Sequence, residues 1–180
     1  MKIKKLEHLS EIFQEYDAFI IDLWGVMHNG VNLYNSAINA VRELQSNGKR
    51  IVFLSNAPRP TKKVVEFLKK MKMEDKFLRN VFTSGEAALN SLKQNKFGKK
   101  FYHLGPQRDD SLYIDVKENK TTLEESDFIL CTGLFDEESE NLQFYKDLLK
   151  NYINKKLVCT SPDLIVHRGD EEEYCAGKIA

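Results

Sequence analysis

Neither sign of charge is in excess in this chain. Its 27 Lys and Arg residues face 27 Asp and Glu, and the pI is near 6.9. A protein that grips nucleic acid or a membrane surface usually shows a basic surplus, so neither is expected as a partner. The lysine pairs Lys4–Lys5, Lys62–Lys63 and Lys99–Lys100 are scattered and read as solvated helix faces. No run approaches the roughly 18 apolar residues of a membrane helix. The early lysines lead into LEHLSEIFQEYD, which supplies acids where a signal peptide would have its apolar core. Cysteine is scarce, at three, an odd number with no C-x-x-C spacing and no neighbouring histidine cluster, which argues against a disulfide framework or a zinc site. Cys131 and Cys159 instead close the apolar runs FILC and LVC, as small buried hydrophobes do. No repeat or low-complexity tract occurs, and no G-x-G-x-x-G follows the first apolar run, which argues against a dinucleotide-binding dehydrogenase. The remaining expectation is a soluble, cytoplasmic protein, long enough at 180 residues for one domain or two small ones.

What is present alternates. AFIIDLW predicts a strand and SAINAVRELQSNG an amphipathic helix, with Ala37, Ala40, Val41 and Leu44 on its apolar face and Ser36 as cap. IVFLSN predicts a second strand. TKKVVEFLKKMKM predicts a helix capped by Thr61 that buries Val64, Val65, Leu68 and Met71, and NVFTS a third strand. Parallel neighbours need long crossovers, so this order predicts half of a doubly wound parallel sheet over residues 1–83. From residue 84 the rhythm restarts. Thr83 and Glu86 fit a capping box, KKFYHLG, DFILCTG and KLVCTS predict strands, and ESENLQFYKDLLKNYIN a helix. LIVHRGDEEEYC predicts a hairpin turning at Gly169–Asp170, and residues 105–122 a loop. Residues 84–180 therefore read as a second α/β unit.

Asp22 ends the first apolar run, and an unpaired buried carboxylate is costly. Open α/β sheets bind ligands beyond the carboxyl ends of their strands, where Asp22 would meet Ser55 and Asn56 from the second strand. A carboxylate beside a hydroxyl, an amide and turn N–H groups suits a phosphate with a divalent cation. Asn29–Gly30 in VMHNGV predicts a tight flap over that crevice, carrying an exposed His28.

These residues resemble a known family. Asp22-Leu23-Trp24-Gly25-Val26 is similar to the first motif of the haloacid dehalogenase (HAD) superfamily, and LSNAPRP to its second. The segments YHLGPQRDD, CTGLFDEESE, SPDLIVHRGD and YCAGKIA resemble the α/β cap of its class IIA branch, which includes nucleotide and 4-nitrophenyl phosphate phosphatases. The resemblance covers essentially the whole chain. It implies the N-terminal half of a Rossmann-like HAD core with an inserted α/β cap, and hydrolysis of a small phosphorylated metabolite with Mg²⁺ as cofactor. Asp22 matches the nucleophile that becomes an aspartyl phosphate and also ligates Mg²⁺, and residue 24 contributes a backbone carbonyl that Trp24 retains. Ser55 and Asn56 match the phosphate-binding positions. Arg59, Arg108, Asp163 and His167 are candidates for lining the substrate pocket, with Arg59 foremost, and caps of this branch often form homodimers.

Two departures stand out. Phosphatases of the superfamily place a second aspartate at position 24 as general acid and base, and an indole cannot do that work, a loss of about 10²–10⁴ in rate. His28 is the nearby group that titrates around neutrality. A non-catalytic phosphometabolite-binding protein and a dehalogenase-type hydrolase are the alternatives, the latter because dehalogenases also carry an aromatic residue there. The second departure is that the superfamily's third-motif lysine and fourth-motif acids follow the cap, whereas Lys178 lies within YCAGKIA, and Asp163 and Asp170 within the cap. The expectation is a partial chain whose longer parent completes the site.

Overall fold

The structure is a computed structural model and describes residues 5–180. Lys4 of the first lysine pair lies outside the described residues. Lys62 and Lys63 are exposed on a helix, whereas the equally exposed Lys99 and Lys100 lie on the approach to a strand, their N–H groups bonded to Asp127.

Strands β1 (Ala18–Ile21), β2 (Arg50–Ser55) and β3 (Val81–Thr83) form a parallel sheet in that order. Helices α1 (Asn35–Ser46) and α2 (Thr61–Lys70) make the crossovers. Ile38, Val41 and Leu44 of α1 and Val64 and Leu68 of α2 bury Ile51, Phe53 and Val81, with Leu23 and Met27 in the same core. The apolar face of α1 is rotated from the expected one. Ile38 is buried and Ala40 exposed, because the larger side chain removes more apolar area from water.

The helix starts also differ from expectation. Tyr34 and Pro60 are the N-cap residues of α1 and α2, so Ser36 and Thr61 lie inside the helices rather than capping them. Glu86 supplies what Pro60 cannot, its Oε2 accepting the Thr61 N–H at 3.0 Å and placing a negative charge at the positive end of α2. Thr83 Oγ1 accepts the Glu86 N–H at 3.0 Å. The expected capping box is thus half made, its carboxylate diverted to a neighbouring helix.

The other face of this sheet is bare among the described residues. Ile20, Leu54 and Phe82 are 72%, 53% and 55% exposed, although parallel sheets are normally covered on both faces. Residues 1–180 alone are therefore expected to bind an apolar dye and self-associate, and Ile20→Lys on the open-edged β1 to reduce both effects. Light scattering that finds a monodisperse, dye-silent monomer contradicts this reading.

After α3 (Ser84–Lys93), strands β4 (Phe101–Leu104), β5 (Phe128–Cys131) and β6 (Lys156–Cys159) form a second parallel sheet, with α4 (Leu142–Leu149) before β6. The central β5 is buried along its whole length, as its unbroken apolar run FILC requires. Strands β7 (Ile165–Arg168) and β8 (Glu171–Tyr174) pair antiparallel about Gly169, whose φ of +62° suits glycine in a two-residue turn. Residues 105–122 are more ordered than a loop, forming 3₁₀ turns at Gln107–Leu112 and Ile114–Asn119. No helix among the described residues is long and apolar enough to cross a membrane.

A polar network is set into the otherwise apolar interior of the second unit. His103 Nε2 lies 2.9 Å from Thr132 Oγ1 and its Nδ1 lies 3.0 Å from Tyr113 Oη, which also bonds Asp110 and Lys120. Burial, reinforced by the Lys120 ammonium, pulls the His103 pKa down from 6.5 to about 4. The unfolded chain then binds the extra proton first, so stability falls as pH drops from 6.5 towards 4, by roughly 3 kcal/mol in all. Denaturant unfolding across that window should show a shallower pH slope for His103→Gln than for the unmodified chain, and equal slopes contradict the assignment.

Candidate active site

Parallel pairing of Ile21 with Phe53 brings the end of β1 beside that of β2, so Asp22 and the pair Ser55–Asn56 emerge at one rim. Asp22 Oδ1 accepts the Leu23 N–H at 2.7 Å, which fixes the carboxylate at the strand end. Partial burial raises its pKa, the Leu23 N–H opposes that, and the negative charge of Asp163 adds to the rise. Ser55 is buried, with its Oγ 3.2 Å from the Ala57 N–H. Asn56 Nδ2 donates to Asp163 Oδ1 at 3.1 Å, a contact from the first unit to the second.

The turn that carries the second motif rests on α3. Gly85 N–H donates to Ala57 O at 3.1 Å, and a Cβ on Gly85 would lie 2.4 Å from Arg59 O. Thr83 Oγ1 donates to Arg59 O at 2.8 Å. The glycine of TSGEAA is thus required by close backbone approach rather than by an unusual φ.

Trp24 is a strut between the two units. Its Nε1 donates to His167 O at 2.9 Å, and its ring rests edge-on against His28, centroids 5.1 Å apart. A Cβ on Gly30 would lie 2.7 Å from the indole, so the flap glycine makes room for the tryptophan. The flap itself is the expected tight turn, with Asn29 Oδ1 accepting from the Val31 and Asn32 N–H groups. His28 departs from expectation. It is 2% exposed rather than displayed on the flap, is packed between Trp24 and Phe67, and accepts the Gly30 N–H at Nδ1. Burial lowers its pKa, so it is neutral at pH 7.

The second unit closes a cleft of about 1240 Å³ over these groups. Arg59 Nε bonds Asp109 Oδ1 at 3.1 Å, and Asp109 is almost wholly buried. Burial raises the Asp109 pKa despite the opposing pull of Arg59, so desolvation wins in this pair. Arg108 pairs with Asp136, and Asp163 and His167 also line the cleft. Asp109 and Thr132, which also line the cleft, are not marked by the sequence, because nothing in the spacing of RDD or CTG places either at the site or makes Asp109 the partner of Arg59, 50 positions away. The Asp22 carboxylate and the Trp24 carbonyl are hard oxygen donors of the kind a divalent cation takes. No group of three or more His, Cys, Asp or Glu able to hold a metal occurs among the described residues.

A family model described as haloacid dehalogenase-like hydrolase matches residues 19–117. Among solved structures, a hydrolase of the haloacid dehalogenase-like family from Brucella suis 1330 superposes with a TM-score of 0.86 at 30% identity, over 97% of this chain and 65% of that one. A p-nitrophenyl phosphatase from Archaeoglobus fulgidus gives 0.66 at 20% identity, over 91% of this chain and 62% of that one. A glycerol phosphate phosphatase from Mycobacterium tuberculosis in complex with magnesium gives 0.62 at 19% identity, over 93% and 51% respectively. The chain thus spans between about half and two thirds of the length of these proteins. No curated protein matches it. With the family model covering over half of the chain and the motif residues gathered at one sheet rim, the protein belongs to the haloacid dehalogenase-like hydrolases.

Proposed function

We propose that the full-length protein is a phosphoric-monoester hydrolase whose nucleophile is Asp22, with residues 84–180 acting as its cap. The observation that carries this reading is the meeting of Asp22, Ser55 and Asn56 at the carboxyl ends of two paired parallel strands, beneath a cleft closed by the second unit. Ser55 and Asn56 offer neutral donors that hold phosphate oxygens without repelling them. Asp22 then attacks phosphorus in line with the departing alcohol, and the aspartyl phosphate is later hydrolysed by water. The substrate is a small phosphorylated metabolite, and both relatives named as phosphatases support that class.

The donor set fits Mg²⁺ in kind, though it supplies only part of a shell. Asp22 and the Trp24 carbonyl would hold the ion, consistent with the habit of Mg²⁺ to keep water and phosphate oxygens around one or two protein carboxylates. When bound, the ion neutralises charge that develops on the transferring phosphoryl group. Trp24 favours a second reading, a binding protein without turnover, because it displaces the usual acid. Assay of the full-length protein against a panel of phosphate monoesters, with Mg²⁺ and with chelator, separates the two. Metal-dependent phosphate release supports the hydrolase, and tight ligand binding without release supports the binding protein.

A further inference from the structure

The proposed reaction requires a proton for the departing alkoxide and a base for the attacking water, and neither group nearest the nucleophile can serve. The indole of Trp24 is committed to His167 O. His28 is buried and neutral, with Nδ1 taken by the Gly30 N–H. Of the other acids that line the cleft, Asp109 is engaged by Arg59, Asp136 by Arg108 and Glu173 by Arg168, while Glu140 and Glu172 are exposed to solvent and make no hydrogen bond to the rim that carries Asp22. Asp163 differs from all of these. Its Oδ1 is held by the Asn56 amide, and no hydrogen bond from a described residue reaches its Oδ2. It shares the cleft with Asp22, and Asn56, which holds it, stands on the same rim as Asp22.

The loop that carries it is clamped from behind. Gly177 N–H donates to Asp163 O at 3.1 Å and Cys175 N–H to Leu164 O at 3.1 Å. A Cβ on Gly177 would lie 2.2 Å from Pro162 O, so the segment YCAGK packs backbone to backbone beneath the aspartate. Positioned acids of this kind need both a fixed main chain and an oriented carboxyl, and Asp163 has both.

Resting on the phosphatase reading above, we propose that Asp163 is the general acid and base of this protein, supplied from the cap in place of the acid that Trp24 displaces. As the P–O bond to the alcohol breaks, its electron pair goes to oxygen and the Asp163 carboxyl gives that oxygen its proton. The resulting carboxylate then takes a proton from water as the water oxygen bonds to phosphorus. The P–O bond to Asp22 breaks, inorganic phosphate leaves, and both carboxyl groups return to their starting states. Because the acid comes from the second unit, proton transfer requires that unit in place over Asp22, and Trp24 serves the same step by its bond to His167 O in β7.

The test compares Asp163→Asn with the unmodified full-length protein on two esters in the presence of Mg²⁺. p-Nitrophenyl phosphate has a leaving group that needs no proton, whereas an alkyl phosphate such as glycerol phosphate has one that does. The variant is expected to lose about 10²–10³ in kcat on the alkyl ester. On the aryl ester it should release a first equivalent of nitrophenolate at close to the original rate, then stall with phosphoenzyme accumulating. Asp163→Glu, which keeps an acid, should recover part of the alkyl activity. An equal loss on both esters without a burst, or full recovery at saturating Mg²⁺, makes Asp163 a latch or a metal ligand and overturns the proposal. An unmodified protein that cleaves neither ester overturns the phosphatase reading, and this assignment with it.

Discussion

Asp22→Asn in the full-length protein is expected to abolish phosphate release, by about 10⁴-fold or more, the scale lost when covalent enzymes are deprived of their nucleophile. The amide is nearly isosteric and can still accept the Leu23 N–H that fixes Asp22 at the end of β1. Its nitrogen is not a nucleophile under these conditions and carries no charge for a cation. Folding should be unaffected or slightly improved, since a partly buried carboxylate that faces Asp163 is replaced by a neutral group. Activity and stability thus move independently in this variant. Steady-state assays with denaturant unfolding check both, and retention of near-normal turnover removes Asp22 from the role.

Gly85→Ala should do the opposite, damaging the fold first and the site as a consequence. The added methyl would lie 2.4–2.5 Å from Arg59 O, C and N, three backbone atoms that cannot rotate away. Relief requires α3 to withdraw from the turn after β2. That movement breaks Gly85 N–H to Ala57 O, Thr83 Oγ1 to Arg59 O and the Glu86 cap on Thr61. A loss of about 3 kcal/mol is expected, at the upper end for overpacking because the clash is with main chain. Displacement of Ser55–Asn56 should then lower activity in whatever fraction stays folded. Gly48→Ala is the control. Its φ of +73° makes alanine strained, yet nothing lies within 4 Å of its Cβ and it sits far from the cleft in sequence. About 1 kcal/mol is expected there, with activity intact.

These cases show which parts of the molecule were legible in the sequence. The strand and helix order was, because apolar periodicity and length separate a crossover helix from a buried strand without tertiary information. The meeting of Asp22 with Ser55 and Asn56 followed from parallel order alone, since residues after neighbouring parallel strands share a rim. Helix starts were less legible. Ser36 and Thr61 have the right chemistry for caps, but the Glu86 carboxylate comes from 25 residues away and no local rule anticipates it. His28 was misplaced for a related reason. A histidine beside Asn-Gly reads as surface, whereas here Trp24 and Phe67 enclose it. The contacts between the two units were hidden most completely. Arg59 with Asp109, Asn56 with Asp163 and Trp24 with His167 join residues 50 to 143 apart, and each becomes meaningful only once the second sheet stands over the first.

The most direct test of the central claim is to quench the full-length protein with acid during turnover of a phosphate monoester in Mg²⁺ and locate the bound phosphoryl group by peptide mass spectrometry. The account predicts a single labile phosphoryl group on the peptide that contains Asp22, absent in Asp22→Asn. Steady hydrolysis with no phosphoryl group on Asp22, or with one on a different residue, contradicts it.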